Sequence, residues 1–171
     1  MPPGIPPLYL FRVLARDERL FTRVFGSGLL DRGHLSLRER EMVILRVCAN
    51  NRSEYEWGVH VTGFADRASF SEEQLAATLE PNVNAACWSA RDRLLLRLCD
   101  ELQNSTTVSD ALWNELAAEW SEEARLELLM LACQYRMIST LTNALQLPLE
   151  SYAARFPRIP DSPMGGPVRP S

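Results

Sequence analysis

The sequence predicts an all-α fold, and three observations support that prediction. Apolar residues recur with helical spacing, as in Leu94, Leu95, Leu98 and Leu102. Several of these segments are preceded by a capping box, in which a serine is followed three residues later by an acidic or amide residue. No segment alternates polar and apolar residues for long enough to predict a β-strand.

The first five predicted helices follow in chain order. Residues 8–15 and 17–30 have the apolar spacing of two N-terminal helices. Capping boxes that begin at Ser36, Ser53 and Ser71 start the next three. The helix after Ser36 is apolar on nearly every side, which predicts that it lies at the centre of the fold.

Three further helices complete the predicted domain. Ser89 begins one of them, and Ser109 and Ser121 can cap two more, around residues 112–119 and 122–145. Apolar side chains lie along one side of the last helix: Leu126, Leu129, Met130, Cys133 and Met137.

The length and composition are those of one globular domain. We expect this domain to span residues 8–156, between proline-rich tails at residues 1–7 and 157–171. The net charge of −4 argues against a nucleic-acid partner, and the apolar runs are too short to cross a bilayer. Since no secretory signal is visible either, we expect a cytoplasmic protein without a membrane partner.

The basic residues and the cysteines exclude several chemistries. All 18 basic residues are arginine, which rules out lysine Schiff bases, pyridoxal-phosphate attachment and a phosphate-loop lysine. The four cysteines, Cys48, Cys87, Cys99 and Cys133, form no Cys-x-x-Cys pair, and we expect buried, reduced thiols. With 2 histidines in the whole chain, a zinc site is not expected.

Three ionisable residues are candidates for acid-base chemistry. Glu41 lies on an apolar helix face, where an unpaired charge is costly, so it needs a functional partner or an internal arginine. Glu56 and His60 are one helical turn apart, a spacing suited to proton transfer near neutral pH. Ser53 is expected to be an N-cap, and Glu56 either completes its capping box or faces His60.

The run Glu41…Ser53-x-x-Glu56-x-x-x-His60 resembles the carboxymuconolactone decarboxylase and alkylhydroperoxidase D-like superfamily. Its most specific part is the segment 38–46 followed by residues 53–57, and residues 135–150 are similar to the family's C-terminal end. The resemblance implies a helical bundle that oligomerises through its helices, commonly as a dimer, trimer or hexamer.

The peroxidase branch of this family uses a glutamate followed by Cys-x-x-Cys-x-x-x-His. Glu41 and His60 match the glutamate and the histidine, but Ser53 and Glu56 occupy the two cysteine positions. Thiol peroxidase chemistry needs a thiolate that attacks the peroxide and a second sulfur that resolves the sulfenic acid. The departure therefore disfavours an alkylhydroperoxidase or peroxiredoxin-like antioxidant activity.

The decarboxylase branch works without a metal or cofactor on small carboxylated lactones. For this branch the resemblance implies acid-base roles for Glu41, Glu56 and His60. An arginine is expected to bind the substrate carboxylate, with Arg46 and Arg67 as the candidates. The leading hypothesis is a homo-oligomeric lyase, a decarboxylase above all, or a hydrolase that acts on a small carboxylated molecule. The alternatives are the antioxidant protein and a non-catalytic member of the fold.

Overall fold

The computed structural model describes residues 6–26 and 29–157, which form eight α-helices and no strand. This confirms the predicted all-α class. Most of the two predicted tails, residues 1–5 and 158–171, lies outside the described residues. The helices are α1 (Tyr9–Leu14), α2 (Glu18–Phe25), α3 (Leu37–Asn50), α4 (Glu54–Phe64), α5 (Glu72–Ala77), α6 (Ala90–Ser105), α7 (Asp110–Glu119) and α8 (Glu122–Ala144).

Helix α3 is the centre of the fold, as its composition predicted. Every residue from Glu41 to Cys48 is buried, because α4, α6 and α8 pack around this stretch. A helix that is apolar on all sides gains from such complete enclosure, at about 25 cal/mol for each Å² of apolar surface removed from water. Two charged residues, Glu41 and Arg46, are buried together with the apolar ones.

The connection between α3 and α4 is a tight turn of the Schellman type. Arg52 adopts the left-handed conformation, with φ of 54°. Its amide donates to the carbonyl of Ala49 (2.9 Å), and the amide of Ser53 donates to the carbonyl of Cys48 (2.8 Å). Ser53 therefore ends one helix and caps the next, which fixes α4 directly against α3.

The helix starts agree with the capping residues read from the sequence, whereas one helix end differs. Complete capping boxes form at Ser36, Ser71 and Ser89. The helix predicted at residues 17–30 is too long, because α2 ends at Phe25 and Gly26 caps it. Glycine has a low helix propensity, which accounts for the early end.

Helix α8 buries the side opposite to the apolar stripe noted in the sequence. Tyr135, Ser139 and Thr142 lie on its buried side. The stripe is largely exposed, with exposed fractions of 61% for Leu126 and 55% for Met130. Cys133 is exposed as well, so the prediction that it is a buried thiol is wrong. No helix within residues 6–26 and 29–157 is both long and apolar enough to cross a membrane.

The C-terminal segment after α8 crosses α4 at Gly58. The amide of Ala154 donates to the carbonyl of Gly58 (3.3 Å) and to the hydroxyl of Thr62 (2.8 Å). A Cβ at position 58 would clash with the carbonyl oxygen of Ala154. Glycine is thus required here by the close approach of two backbones.

Candidate active site

Three buried polar side chains from α3, α4 and α8 form a chain of hydrogen bonds. Nδ1 of His60 lies 2.7 Å from Oε2 of Glu41, and the hydroxyl of Tyr135 lies 3.0 Å from Nε2 of His60. The exposed fractions are 0% for Glu41, 4% for His60 and 3% for Tyr135. The structure therefore brings Glu41 and His60 into direct contact, although their catalytic role stays a prediction.

Arg40 sets the direction of these hydrogen bonds. Two nitrogens of its guanidinium group, Nε and Nη2, each lie 3.1 Å from Oε1 of Glu41, and Nη1 donates to the carbonyl of Leu30 (2.8 Å). The guanidinium donates to the carboxylate of Glu41, and a carboxylate can only accept hydrogen bonds. His60 then donates from Nδ1 and accepts from the Tyr135 hydroxyl at Nε2. This tautomer gives His60 a basic nitrogen on the Tyr135 side.

The ring of Phe64 lies over His60, one helical turn further along α4. The two rings are stacked, with centroids 5.4 Å apart and an interplanar angle of 25°. The guanidinium groups of Arg40 and Arg67 lie 5.5 and 5.7 Å from the Phe64 ring centroid. Phe64 is only half-buried. It therefore stands between His60 and a surface that carries two positive charges.

Glu56 is also buried, but its side chain does not complete the predicted capping box. The Ser53 amide, which would bond the Glu56 carboxyl in such a box, donates instead to the carbonyl of Cys48. Oε1 of Glu56 is buried and has no hydrogen-bond partner among the described residues. Desolvation raises the pKa of this carboxyl, and the charge of His60 opposes the rise in part.

Ser53 is an N-cap rather than a nucleophile in this geometry. Its hydroxyl accepts from the amide of Glu56 (3.5 Å) and shares a hydrogen bond with the hydroxyl of Thr142 (3.0 Å). Both interactions tie the start of α4 to α8 inside the core. The capping role predicted from the sequence is confirmed.

Cys48 lies at the same buried cluster and is poorly suited to nucleophilic attack. Its sulfur accepts a hydrogen bond from the Ser139 hydroxyl (3.8 Å). Burial raises the pKa of its thiol well above the ordinary value, and the negative charge of Glu56 raises it further. A thiol in such surroundings stays protonated and unreactive.

The two arginines predicted to bind substrate occupy different surroundings. Arg46 is bound to both carboxylate oxygens of Asp100 (2.8 Å each), and its Nη1 also donates to the carbonyls of Thr78 and Glu80. This geometry indicates a structural anchor between α3 and α6, and it gives no support to Arg46 as a substrate ligand. Arg67 is exposed and lies over Phe64.

Sequence reasoning missed three residues of this cluster: Arg40, Phe64 and Tyr135. One signal for Tyr135 was present, because it lies seven positions after Leu128 and seven positions before Thr142. Leu128, Tyr135 and Thr142 share the buried side of α8. Residues seven apart fall on one helix face, so a polar residue at that position faces the core.

Part of the sequence matches a known protein family, and the fold is similar to solved structures. Residues 18–97 match the carboxymuconolactone decarboxylase family. No curated protein sequence matches the chain. Among solved structures, an uncharacterized peroxidase-related protein from Silicibacter sp. TM1040 is 17% identical, with a TM-score of 0.73 over 86% of this chain and 80% of that one.

A second solved structure shares the fold. It is the alkylhydroperoxidase AhpD core of an uncharacterized peroxidase-related protein from Ralstonia eutropha JMP134. The identity is 17% and the TM-score is 0.70, over 81% of this chain and 75% of the other. At this level of identity the similarity concerns the fold.

Proposed function

We propose that this chain, whose residues 18–97 match the carboxymuconolactone decarboxylase family, is an acid-base enzyme without a cofactor. Its reaction is the decarboxylation of a small carboxylated organic compound, or an allied lyase or hydrolase step. The observation that carries this proposal is the buried series of Glu41, His60 and Tyr135.

In this mechanism His60 transfers one proton to the substrate. The bond between the substrate carbon and its carboxylate breaks, carbon dioxide leaves, and the electron pair stays on the substrate. His60 first takes up a proton from solvent at Nε2 and then supplies that proton to the substrate carbon. Glu41 stabilises the charged imidazole and keeps its orientation. The proton transfer by His60 itself contributes roughly 10²- to 10⁴-fold to the rate. Glu56 adds a second acidic group one turn from His60.

A peroxidase mechanism is disfavoured by the state of the thiols. Ser53 and Glu56 stand at the positions where a thiol peroxidase needs its two sulfurs. Burial raises the pKa of the nearest thiol, Cys48, well above its ordinary value. Neither a peroxidatic thiolate nor a resolving thiol is therefore provided at this cluster.

One observation favours a second candidate, a non-catalytic member of the fold. Glu41, His60, Glu56 and Tyr135 are each exposed by no more than 4%. A cluster closed to this degree also suits a purely structural network. The experiment below separates the two candidates.

The test is carbon dioxide release from a panel of carboxylated lactones and β-keto acids. We expect wild type to decarboxylate at least one of them, and His60→Gln to lower kcat by about 10²- to 10⁴-fold. His34→Ala is the matched control, since His34 is the other histidine of the chain and is exposed. Full activity in His60→Gln would refute the mechanism, and no release from any compound would favour the non-catalytic candidate.

The proposal includes a homo-oligomer of two, three or six chains in the cytoplasm. The support for an oligomer is the apolar stripe on α8, whose exposed members are Leu126, Met130, Cys133 and Met137. These residues are spaced four, three and four apart, the spacing of a helix-pairing seam. Light scattering on the purified protein measures the number of chains.

A further inference from the structure

The carboxyl group of Glu56 is the buried group whose surroundings the proposed mechanism explains least. Oε1 has no hydrogen-bond partner within residues 6–26 and 29–157, and the residue is 4% exposed. A buried polar atom without a partner costs free energy in the folded protein. Such an atom in a reactive cluster is suited to bind a ligand atom that completes its hydrogen bonding.

Glu56 and Tyr135 approach His60 from two helices. Glu56 precedes His60 by four residues on α4, and the hydroxyl of Tyr135, on α8, lies 3.0 Å from Nε2 of His60. A molecule that exchanges a proton with Nε2 must displace or share this hydroxyl. The reacting atoms would then lie beside Tyr135, on the side of His60 that faces away from Glu41.

Burial favours the neutral form of Glu56, and four titratable groups on three helices interact with it electrostatically. They are Cys48 on α3, Tyr55 and His60 on α4, and Tyr135 on α8. Desolvation by burial is the largest cause that raises the pKa of Glu56 and that of Tyr135. Both groups consequently tend to keep their protons and to act as donors.

We propose that Glu56, as a neutral carboxylic acid, and Tyr135 form a pair of hydrogen-bond donors for the oxygen of an enolate. The inference rests on the proposed function and names its substrate class: carboxylic acids whose carboxylate is carried by the carbon next to a carbonyl group, as in β-keto acids, or by the vinylogous carbon of a conjugated carbonyl compound. Protonated carboxyl groups in apolar sites serve other enzymes in this way.

The donor pair stabilises the negative charge that develops when the substrate loses carbon dioxide. When the bond to the carboxylate breaks, carbon dioxide leaves and the electron pair moves into the carbonyl, whose oxygen becomes negatively charged. Glu56 and Tyr135 donate to that oxygen. His60, protonated on Nε2, then delivers its proton to carbon, and the electron pair returns to form the new C–H bond. Both donors keep their own protons throughout.

Access to this position requires a covering side chain to move. Phe64 is the half-buried ring stacked on His60, and the guanidinium groups of Arg40 and Arg67 lie beside it. Displacement of this ring would open His60 toward the exposed guanidinium group of Arg67, which attracts anions. Substrates with a free carboxylate suit this approach.

Substituted phenols of graded acidity test the donor pair, because a phenolate resembles an enolate in shape and charge. 4-Nitrophenol is the probe whose absorption distinguishes its neutral and ionised forms. We expect it to bind as the phenolate below its ordinary pKa. Glu56→Ala and Tyr135→Phe should each weaken binding by about 10- to 100-fold, whereas Glu56→Gln, which keeps a donor, should retain most of the affinity.

Glu122→Gln, at the exposed start of α8, is the matched control and should bind 4-nitrophenol as wild type does. Infrared difference spectroscopy of wild type against Glu56→Gln gives a readout that needs no ligand. We expect the carbonyl stretch of a protonated carboxyl group at neutral pH in wild type. An ionised Glu56, or binding of the neutral phenol with equal affinity in Glu56→Ala, overturns the proposal.

These outcomes are separable from those of the proposed function. Phenolate binding without carbon dioxide release would leave the donor pair intact and refute the decarboxylase. Carbon dioxide release with an ionised Glu56 would support the decarboxylase and refute the donor pair.

Discussion

The carboxyl group of Glu56 is expected to make the protein less stable as the pH rises. Burial raises its folded-state pKa above the ordinary value of 4.5. Between that value and the folded-state pKa, the folded protein holds a proton that the unfolded chain has lost. The free energy of unfolding therefore falls with increasing pH, by up to about 1.4 kcal/mol per pH unit for one such group.

The perturbation that reveals this effect is Glu56→Gln, which removes the titration and keeps the size of the side chain. Urea unfolding from about pH 5 to about pH 8 should show the variant gaining stability relative to wild type, until the pH passes the folded-state pKa. The gain then stays constant. Above that pH the substitution relieves the whole cost of a buried charge.

Glu115→Gln is the control with the opposite sign. Glu115 is exposed, and its hydrogen bond with Arg97 lowers the pKa of its carboxyl. A lowered pKa contributes stability above the unfolded-state value, which is lost as the pH falls, so this substitution should yield no gain with rising pH. Parallel pH profiles for wild type and Glu56→Gln would refute the reasoning.

Three further predictions concern packing, backbone conformation and assembly. Gly58→Ala should destabilise the protein by about 1–3 kcal/mol in urea unfolding, because the new Cβ clashes with the Ala154 carbonyl; Gly63→Ala, whose Cβ meets no described atom within 4 Å, is the control, and an equal loss would contradict the prediction. Arg52→Gly should raise stability by about 0.5–1 kcal/mol, since glycine adopts a φ of 54° without strain; a lower unfolding midpoint would contradict this. Met130→Glu should reduce the oligomer to a smaller species in light scattering, because a charge enters the exposed stripe; an unchanged mass would exclude that stripe as the interface.

Much of the fold could be predicted because its signals are local. Serines followed by acidic or amide residues mark the helix starts, and the hydrogen bonds that cap a helix involve neighbours within one turn. The central position of α3 also follows from its own composition. Glu41 could be recognised for the same reason, since a carboxylate on an apolar face needs a partner that its own helix does not offer.

The partner of the basic nitrogen of His60 could not be predicted in this way. Tyr135 is 75 residues away in sequence, and both sides of α8 carry apolar residues. Periodicity alone does not decide which side faces the core. The same limit applies to Arg46: its position on an apolar helix shows that it needs partners, but only the tertiary structure identifies Asp100 as the one that holds it.

Glu56 shows how tertiary structure overrides a local pattern. Its sequence position suits a capping box with Ser53, yet the turn after α3 already uses the Ser53 amide. The carboxyl group is then left inside the core beside His60. From the sequence, Glu56 could either complete the capping box or face His60. The hydrogen bond from the Ser53 amide to the Cys48 carbonyl decides between them, and it joins two helices, so the pattern of one helix does not reveal it.

The most direct test of the account is the tautomer of His60, because the proposed chemistry needs a basic Nε2. Nitrogen-15 NMR of the histidine rings in His34→Ala leaves His60 as the only imidazole signal. We predict that the neutral ring carries its proton on Nδ1, held by Glu41, and that its Nε2 accepts from Tyr135. A neutral ring with the proton on Nε2 would contradict the account, since Nε2 could then not take up the proton that the mechanism delivers to the substrate carbon.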